Sequence, residues 1–235
     1  MNKITTILQL WKRPSYFNEQ LEAIRGQSVK SDKIVCVQNE DVSGEEFNFP
    51  EDVNIIRSKE NKKFHFRFAV GLTEDTEYLA FFDDDTIPSK EWYKNCIETI
   101  EKHDCICVSN ARDVLPDGRQ TCPAGWGVPN DKEVKCWFGG HAWFLKKKNL
   151  KYMWYDDVYE YTNGEDVMLS ANAWLYAKIP TYCPPHPINN KDLWGSLKGK
   201  ELGSDKVASW ITNPTHFSER VKLINYYLER GWKPI

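Results

Sequence analysis

The chain carries neither a dinucleotide fingerprint nor a glycine loop for phosphates. Its nearest approach to G-x-G-x-x-G, Gly125-Trp126-Gly127, lacks the third glycine and a preceding strand. Gly195 to Lys200 is one residue short of a P-loop and runs into Glu201 where a Ser or Thr is required. Phosphates bound here would therefore need a metal ion together with Arg or Lys. No stretch approaches the ~18 apolar residues of a membrane span, and Met1 to Leu10 reads as a strand rather than as the apolar core of a signal peptide. The one Asn-x-Ser/Thr triplet, Asn213-Pro214-Thr215, is disqualified by its proline. The seven cysteines contain no C-x₂-C pair, which excludes a zinc ribbon, and their odd number fits reduced, buried thiols. Positive charge is not in excess either. A net charge of −3 predicts no general affinity for nucleic acid or anionic membrane. With no repeat, low-complexity tract or Pro/Ser linker, residues 1–235 read as a single domain. These absences predict a cytoplasmic protein with no integral membrane segment and no nucleic-acid partner.

What is present begins with Asp83-Asp84-Asp85, which follows the apolar run Tyr78-Leu79-Ala80-Phe81-Phe82 and precedes Pro88. A buried strand thus runs into three carboxylates at its carboxyl end, where open α/β sheets bind ligands. Adjacent carboxylates repel one another unless a cation neutralises them. A hard divalent cation such as Mg²⁺ or Mn²⁺ accepts all-oxygen ligands and binds phosphate oxygens in turn. The plain alternative is a solvated acidic turn that favours the N-terminus of a helix starting near Ser89.

Strand and helix signals alternate through the first half. Ile4 to Leu10, Lys33 to Val37, Val53 to Ile56, Tyr78 to Phe82 and Cys105 to Val108 read as strands. Helices are predicted from Phe17 to about Gly26, from Phe64 to Leu72, and around Trp92, Cys96, Ile97 and Ile100. Such alternation implies right-handed crossovers, and hence an α/β fold with a mostly parallel sheet and helices on both faces. Beyond Asn110 the pattern loosens: Pro116-Asp117-Gly118 is a turn, and Pro123 to Asn130 a loop. His141 to Leu145 reads as a strand, Asp166 to Ala177 as a helix, Tyr182 to Pro187 as extended chain, and Phe217 to Glu229 as a final helix.

Other candidate site residues are scattered. Glu165-Asp166 opens a helix, where an acid is ordinarily just a favourable first-turn residue. Asn163-Gly164 before it permits a tight turn that aims a carboxylate into a cleft, where it would accept a proton from an acceptor hydroxyl. His186, fixed between prolines in Pro184-Pro185-His186-Pro187, is a candidate Mn²⁺ ligand, with His216 as the weaker alternative and His141 facing an acceptor. Lys12-Arg13, Arg57 and Arg67 lie near strand ends where they would meet phosphate or a uracil carbonyl; individually each reads as a solvated charge.

In this order and spacing the residues resemble the family 2-like glycosyltransferases of GT-A (Rossmann-like) fold, notably the small nucleotide-sugar transferases of bacterial glycan clusters and large algal viruses. Ile4 to Pro14 is similar to the family's first strand and N-R-P turn, with Trp11-Lys12 replacing Tyr-Asn. Phe81 to Asp85 matches its strand plus DxD motif, Gly139-Gly140 its glycine pair beside the donor sugar, and Gly164 to Ser170 its G-E-D helix. The resemblance implies a UDP-sugar donor, a glycan acceptor and a Mn²⁺ or Mg²⁺ ion. It assigns the metal to Asp85 and Asp83, with His186 added. Asp83 or its neighbour Asp84 would also meet the nucleotide, together with Gln9, Trp11, Arg13, Asn39, Asn61 and Arg67, and Gly140 would line the sugar pocket. Asp166, with Glu165 as the alternative, would activate the acceptor hydroxyl. Residues 1–110 would form the nucleotide-binding half and 111–235 the acceptor-binding half with the last helix. A sugar-phosphate nucleotidyltransferase would need a glycine-rich basic loop after the first strand, which Lys12-Arg13-Pro14 does not supply. A carbohydrate-binding module with stacking Trp residues would call for antiparallel strands in place of the helix signals.

Overall fold

Five apolar residues in succession, Tyr78 to Phe82, have no polar face to offer water, so the strand they form has to be covered on both sides. In the computed structural model, which describes residues 3–40, 48–115, 119–156 and 163–235, all five are buried in the middle of a sheet. The expected turn Pro116-Asp117-Gly118 lies outside the described residues. In chain order the elements are β1 (Ile4–Leu10), α1 (Phe17–Arg25), β2 (Lys33–Asn39), β3 (Val53–Ser58), α2 (His65–Leu72), β4 (Tyr78–Phe82), α3 (Trp92–His103), β5 (Ile106–Val114), β6 (Gln120–Thr121), β7 (Val134–Cys136), β8 (Phe138–Lys146), α4 (Glu165–Ala177), β9 (Thr181–Cys183), α5 (Gly199–Leu202), α6 (Ser209–Thr212) and α7 (His216–Glu229).

The sheet runs β3-β2-β1-β4-β8-β5-β9-β7, with β6 paired to β5. Strands β3, β2, β1 and β4 are parallel. Strand β8 is antiparallel to both of its neighbours, β4 and β5. The chain therefore builds outward from β1 to β2 and β3, then returns to place β4 on the other side of β1. That reversal leaves a crevice beyond the carboxyl ends of β1 and β4, the place where such sheets bind ligands.

Alternating side chains feed two cores. Ile7 of β1 with Leu79 and Phe81 of β4 pack under α2, α4 and α7, through Phe68, Val167, Leu169, Leu223 and Tyr227. Ile4 and Leu8 with Ala80 and Phe82 pack under α1 and α3, through Leu21, Ile24, Trp92, Cys96 and Ile100. Each of the larger side chains contributes about 1.5–3 kcal/mol by leaving water, so helices on both faces follow from strands apolar on both faces.

The boundaries shift where tertiary contacts compete. Helix α3 starts at Trp92, not near Ser89; ahead of it the amides of Ser89 and Glu91 donate to the carbonyls of Trp194 and Asp192 in the tail, at 2.9 and 2.8 Å. Strand β5 continues to Val114 because β8 pairs along it as far as Arg112. That pairing requires a glycine at position 139, where a Cβ would stand 2.0 Å from the carbonyl oxygen of Asn110. A 3₁₀ segment, Lys147–Trp154, carries no signal in the apolar periodicity and follows β8 directly.

Candidate active site

The register of β4 and β8 sets Phe82 opposite Ala142, so the acidic triplet leaves β4 alongside His141. The Asp83 amide donates to the His141 carbonyl at 2.9 Å, and Gln20 Nε2 donates to the carbonyls of Asp83 and Thr86 at 2.7 and 2.6 Å. The turn is thereby held from two sides. His141 itself has φ +66°, a conformation uncommon outside glycine and one that gathers at functional sites. Its Nδ1 lies 3.3 Å from Asp85 Oδ1. Asp83, Asp85 and His141 each offer a ligand atom, all within 4.8 Å of one another.

Three buried arginines face the carboxylates. Arg13 Nη1 donates to Asp84 Oδ1 at 2.6 Å, and its other edge holds both oxygens of Asp205 at 2.7 Å. Arg67 pairs with Asp83 and, at 3.2 Å, with Glu165. Arg220 grips Asp166 at two points, 3.0 and 2.8 Å. Breaking one such buried pair by removing a single partner costs about 3–5 kcal/mol, since the other charge is left stranded. Burial pushes Glu165 up to about 7, with the Asp166 charge adding to the effect and Arg67 opposing it. Burial raises Asp85 too, but the hydrogen bond and charge of His141, with Arg13, carry it below the usual carboxylate range.

These groups line a cleft of about 710 Å³ at the ends of β1, β4, β5 and α4. Gln9, Trp11, Arg13, Arg67, Asp83, Asp84, Asp85, Gly140, Glu165 and Asp166, all singled out from the sequence, come together there. Asn39 and Asn61 are not among the lining residues. Asn39 instead holds the segment before α2, donating to Asn61 Oδ1 at 3.2 Å and to the Lys63 carbonyl at 3.0 Å, and accepting from the Lys62 amide at 2.7 Å. Arg57 points to Gln38 on the neighbouring strand. Of the glycine pair only Gly140 faces the cleft, 3.8 Å from Asp166 Oδ2 by its would-be Cβ.

His186 requires a correction. It is fully buried, wedged between Trp92 and Trp194, with Nδ1 2.7 Å from the Pro184 carbonyl and Nε2 accepting from the Gly195 amide at 2.9 Å. Both ring nitrogens are engaged in the tail, and the imidazole beside the aspartates belongs to His141. His216 lines the cleft but stands outside the Asp83-Asp85-His141 cluster.

The neutral state of His186 has a thermodynamic consequence. Burial pushes its pKa down to about 4 from 6.5. Between those values the unfolded chain binds a proton that the folded one does not, so this contribution to stability is present above pH 6.5 and fades as pH falls to 4. His186→Gln is expected to melt below the wild type at pH 7, and the gap should narrow as pH falls from 6.5 towards 4.5. A gap independent of pH would show that folding does not lower the His186 pKa.

The sequence reading missed Arg220, Asp205, Asn110, Arg112 and Trp126. Arg220 reaches Asp166 across 54 residues and Arg13 reaches Asp205 across 192, separations that leave no local pattern. Asn110 sits at a β-bulge, where its Oδ1 accepts from the Gly140 amide at 2.6 Å. His141 was singled out in the sequence, but as a residue facing an acceptor rather than as a metal ligand.

Residues 11–159 match the model of a family described as Glycosyl transferase family 2. Among solved structures, that of S. aureus TarS residues 1–349 is similar with a TM-score of 0.53 and 15% identity, over 79% of this chain and 61% of that one. The same TarS segment in complex with UDP gives 0.54 and 17%, over 76% and 57%. The chain thus spans less than two thirds of the length of these structures, and at such identity the likeness shows the fold alone. Comparison with curated proteins gives no match.

Proposed function

The chain belongs to glycosyl transferase family 2, and on that premise we propose that its cleft moves a sugar from a UDP-sugar donor to a hydroxyl of a glycan acceptor, with Mn²⁺ or Mg²⁺ held by Asp83, Asp85 and His141. The observation that carries this reading is the meeting of that cluster with Asp166 in one cleft at the switch between β1 and β4. Two carboxylates and an imidazole form a donor set suited to a divalent first-row ion such as Mn²⁺. Such an ion, when bound, neutralises charge growing on the departing nucleoside diphosphate. UDP in the TarS complex supports a uridine donor by likeness of fold.

The chain's own groups divide the remaining work. Gln9 Oε1 is buried without a hydrogen-bond partner among the described residues and suits a base N–H such as that of uracil. Asp83, about a quarter exposed where Asp84 and Asp85 are buried, would meet a ribose hydroxyl. Asp166 Oδ1 already accepts from Arg220 and from the Val167 amide, at 3.0 and 2.9 Å, whereas among the described residues Oδ2 accepts only from Arg220. A carboxylate oxygen offers two lone pairs, so Oδ2 keeps one for an acceptor hydroxyl. Arg220 fixes the carboxylate's direction and Gly140 leaves the space in front of it open. Acceptor activation by Asp166 fits a single in-line displacement, with inversion at the anomeric carbon.

Thermal shift tests the donor reading. UDP with Mn²⁺ near a hundred times its Kd contributes about 2.7 kcal/mol, roughly 5–10 °C for a domain of this size. UDP with chelator, and free sugars with Mn²⁺, should move the melting temperature little. A shift by sugar alone would favour a carbohydrate-binding protein. A larger shift by UTP than by UDP would favour a nucleotidyltransferase.

A further inference from the structure

Arg13, Arg67 and Arg220 each hold carboxylates of the cleft, but Arg112 does not. Its guanidinium lines the cleft with no hydrogen bond or ion pair among the described residues, lying over the ring of Trp126 at 5.3 Å. Trp126 in turn stacks on His141, with centroids 5.5 Å apart and planes at 21°. Strand alternation puts Arg112 on the same face of β5 as Asn110, whose Oδ1 meets the Gly140 amide. Arg112 therefore stands at the Asp166 end of the cleft rather than among the aspartates of β4. Burial holds its pKa below the usual arginine range, and Arg220 adds to that effect; Cys122 and Asp166 oppose it, but Asp166 is already held at two points by Arg220.

An unpaired guanidinium, half removed from water and beside a second arginine, is costly without an anion to meet it. Trp126 covers the group from one side at cation–π distance, while the N–H donors along its edge have no partner among the described residues. That edge matches a carboxylate or a phosphate at two points. We propose that Arg112 is the seat of an anionic group, a carboxylate or phosphate ester, carried by the sugar that occupies the Asp166 end of the cleft. The substrate class is thereby narrowed to a charged sugar, on the reading that the cleft is a transferase site. Since Asp166 is the acceptor-side acid in that reading, the charge belongs to the acceptor, with a donor uronic acid as the other source of the same chemistry.

Calorimetry on the whole chain separates the sources. One arm titrates glucuronate, glucose 6-phosphate and glucose into protein saturated with UDP and Mn²⁺. The other compares UDP-glucuronate with UDP-glucose in Mn²⁺. A charged ligand should bind about tenfold or more tightly than its neutral twin in the acceptor arm; the same preference confined to the donor arm would keep the anion seat and move it to the donor sugar. Arg112→Gln should bring the ratio to within about twofold of unity, and Arg112→Lys should retain part of it. The melting temperature reports whether each variant is folded. No charge preference in either arm, or a preference that survives Arg112→Gln, overturns the proposal. Failure of UDP to bind would instead strike the donor reading, and the free-sugar comparison repeated without nucleotide would still decide Arg112.

Discussion

Asp85→Ala is expected to abolish the Mn²⁺-dependent part of UDP binding and to lower sugar transfer by about 10²–10³-fold, the loss typical of removing one preorganised group that stabilises transition-state charge. Asp85 is the carboxylate shared by His141, at 3.3 Å, and Arg13, at 3.5 Å. Without it the cluster keeps one carboxylate and one imidazole, too few protein ligands to hold a divalent ion firmly beside a diphosphate. The fold should survive, because Arg13 retains Asp84 at 2.6 Å and the two-point contact with Asp205. The measurement pairs transfer from UDP-sugars with the UDP thermal shift, each with Mn²⁺ and with chelator. Full activity of the variant, or wild-type activity that chelator leaves untouched, would refute the metal assignment.

Asp166→Asn should cost about 10²–10⁴-fold in kcat, the usual range for a lost general base, with little change in the KM for donor. The amide keeps the shape of the side chain and one oxygen for Arg220 but has no basic lone pair comparable to a carboxylate's. Glu165→Gln should cost far less, because Glu165 accepts from Arg67 and from the Gly164 amide, both at 3.2 Å, and its arginine holds it at one point where Arg220 holds Asp166 at two. With Glu165 pushed up to about 7 by burial, it is half protonated near neutrality. Its charge then fades below pH 7 and with it part of the hold on Arg67, the partner that Glu165 shares with Asp83, so kcat/KM should fall below about pH 7 in the wild type. Glu165→Gln should flatten that limb. If Glu165→Gln is the inactive variant and Asp166→Asn turns over normally, the two acids exchange roles.

Much of this was legible along the chain because its causes are local. Tyr78 to Phe82 is apolar on both faces, which dictates a central strand, and the residues following a strand must emerge at its carboxyl end. Asp83 to Asp85 were therefore readable as a rim without coordinates. The Gly164-Glu165-Asp166 opening of α4 was legible for the same reason: Gly164 has φ +105°, a local backbone need that glycine meets. Histidine assignment failed because neighbouring prolines describe the stiffness of the backbone around His186, not the direction of its ring. The ring turned inward because Trp92 and Trp194 surround it and the Gly195 amide needs an acceptor.

By itself the sequence determined the alternation of strands and helices, the two-sided burial of β4 and the place of an acidic rim at its end, since short-range periodicity and strand direction suffice for each. Only the tertiary structure decided which cations face that rim. Arg220 of α7 meets Asp166 of α4, Arg13 after β1 meets Asp205 of the tail, and His141 meets Asp85 through an antiparallel β8 inserted between β4 and β5. Strand order and helix packing bring those charges together, and the burial that results makes each pairing obligatory.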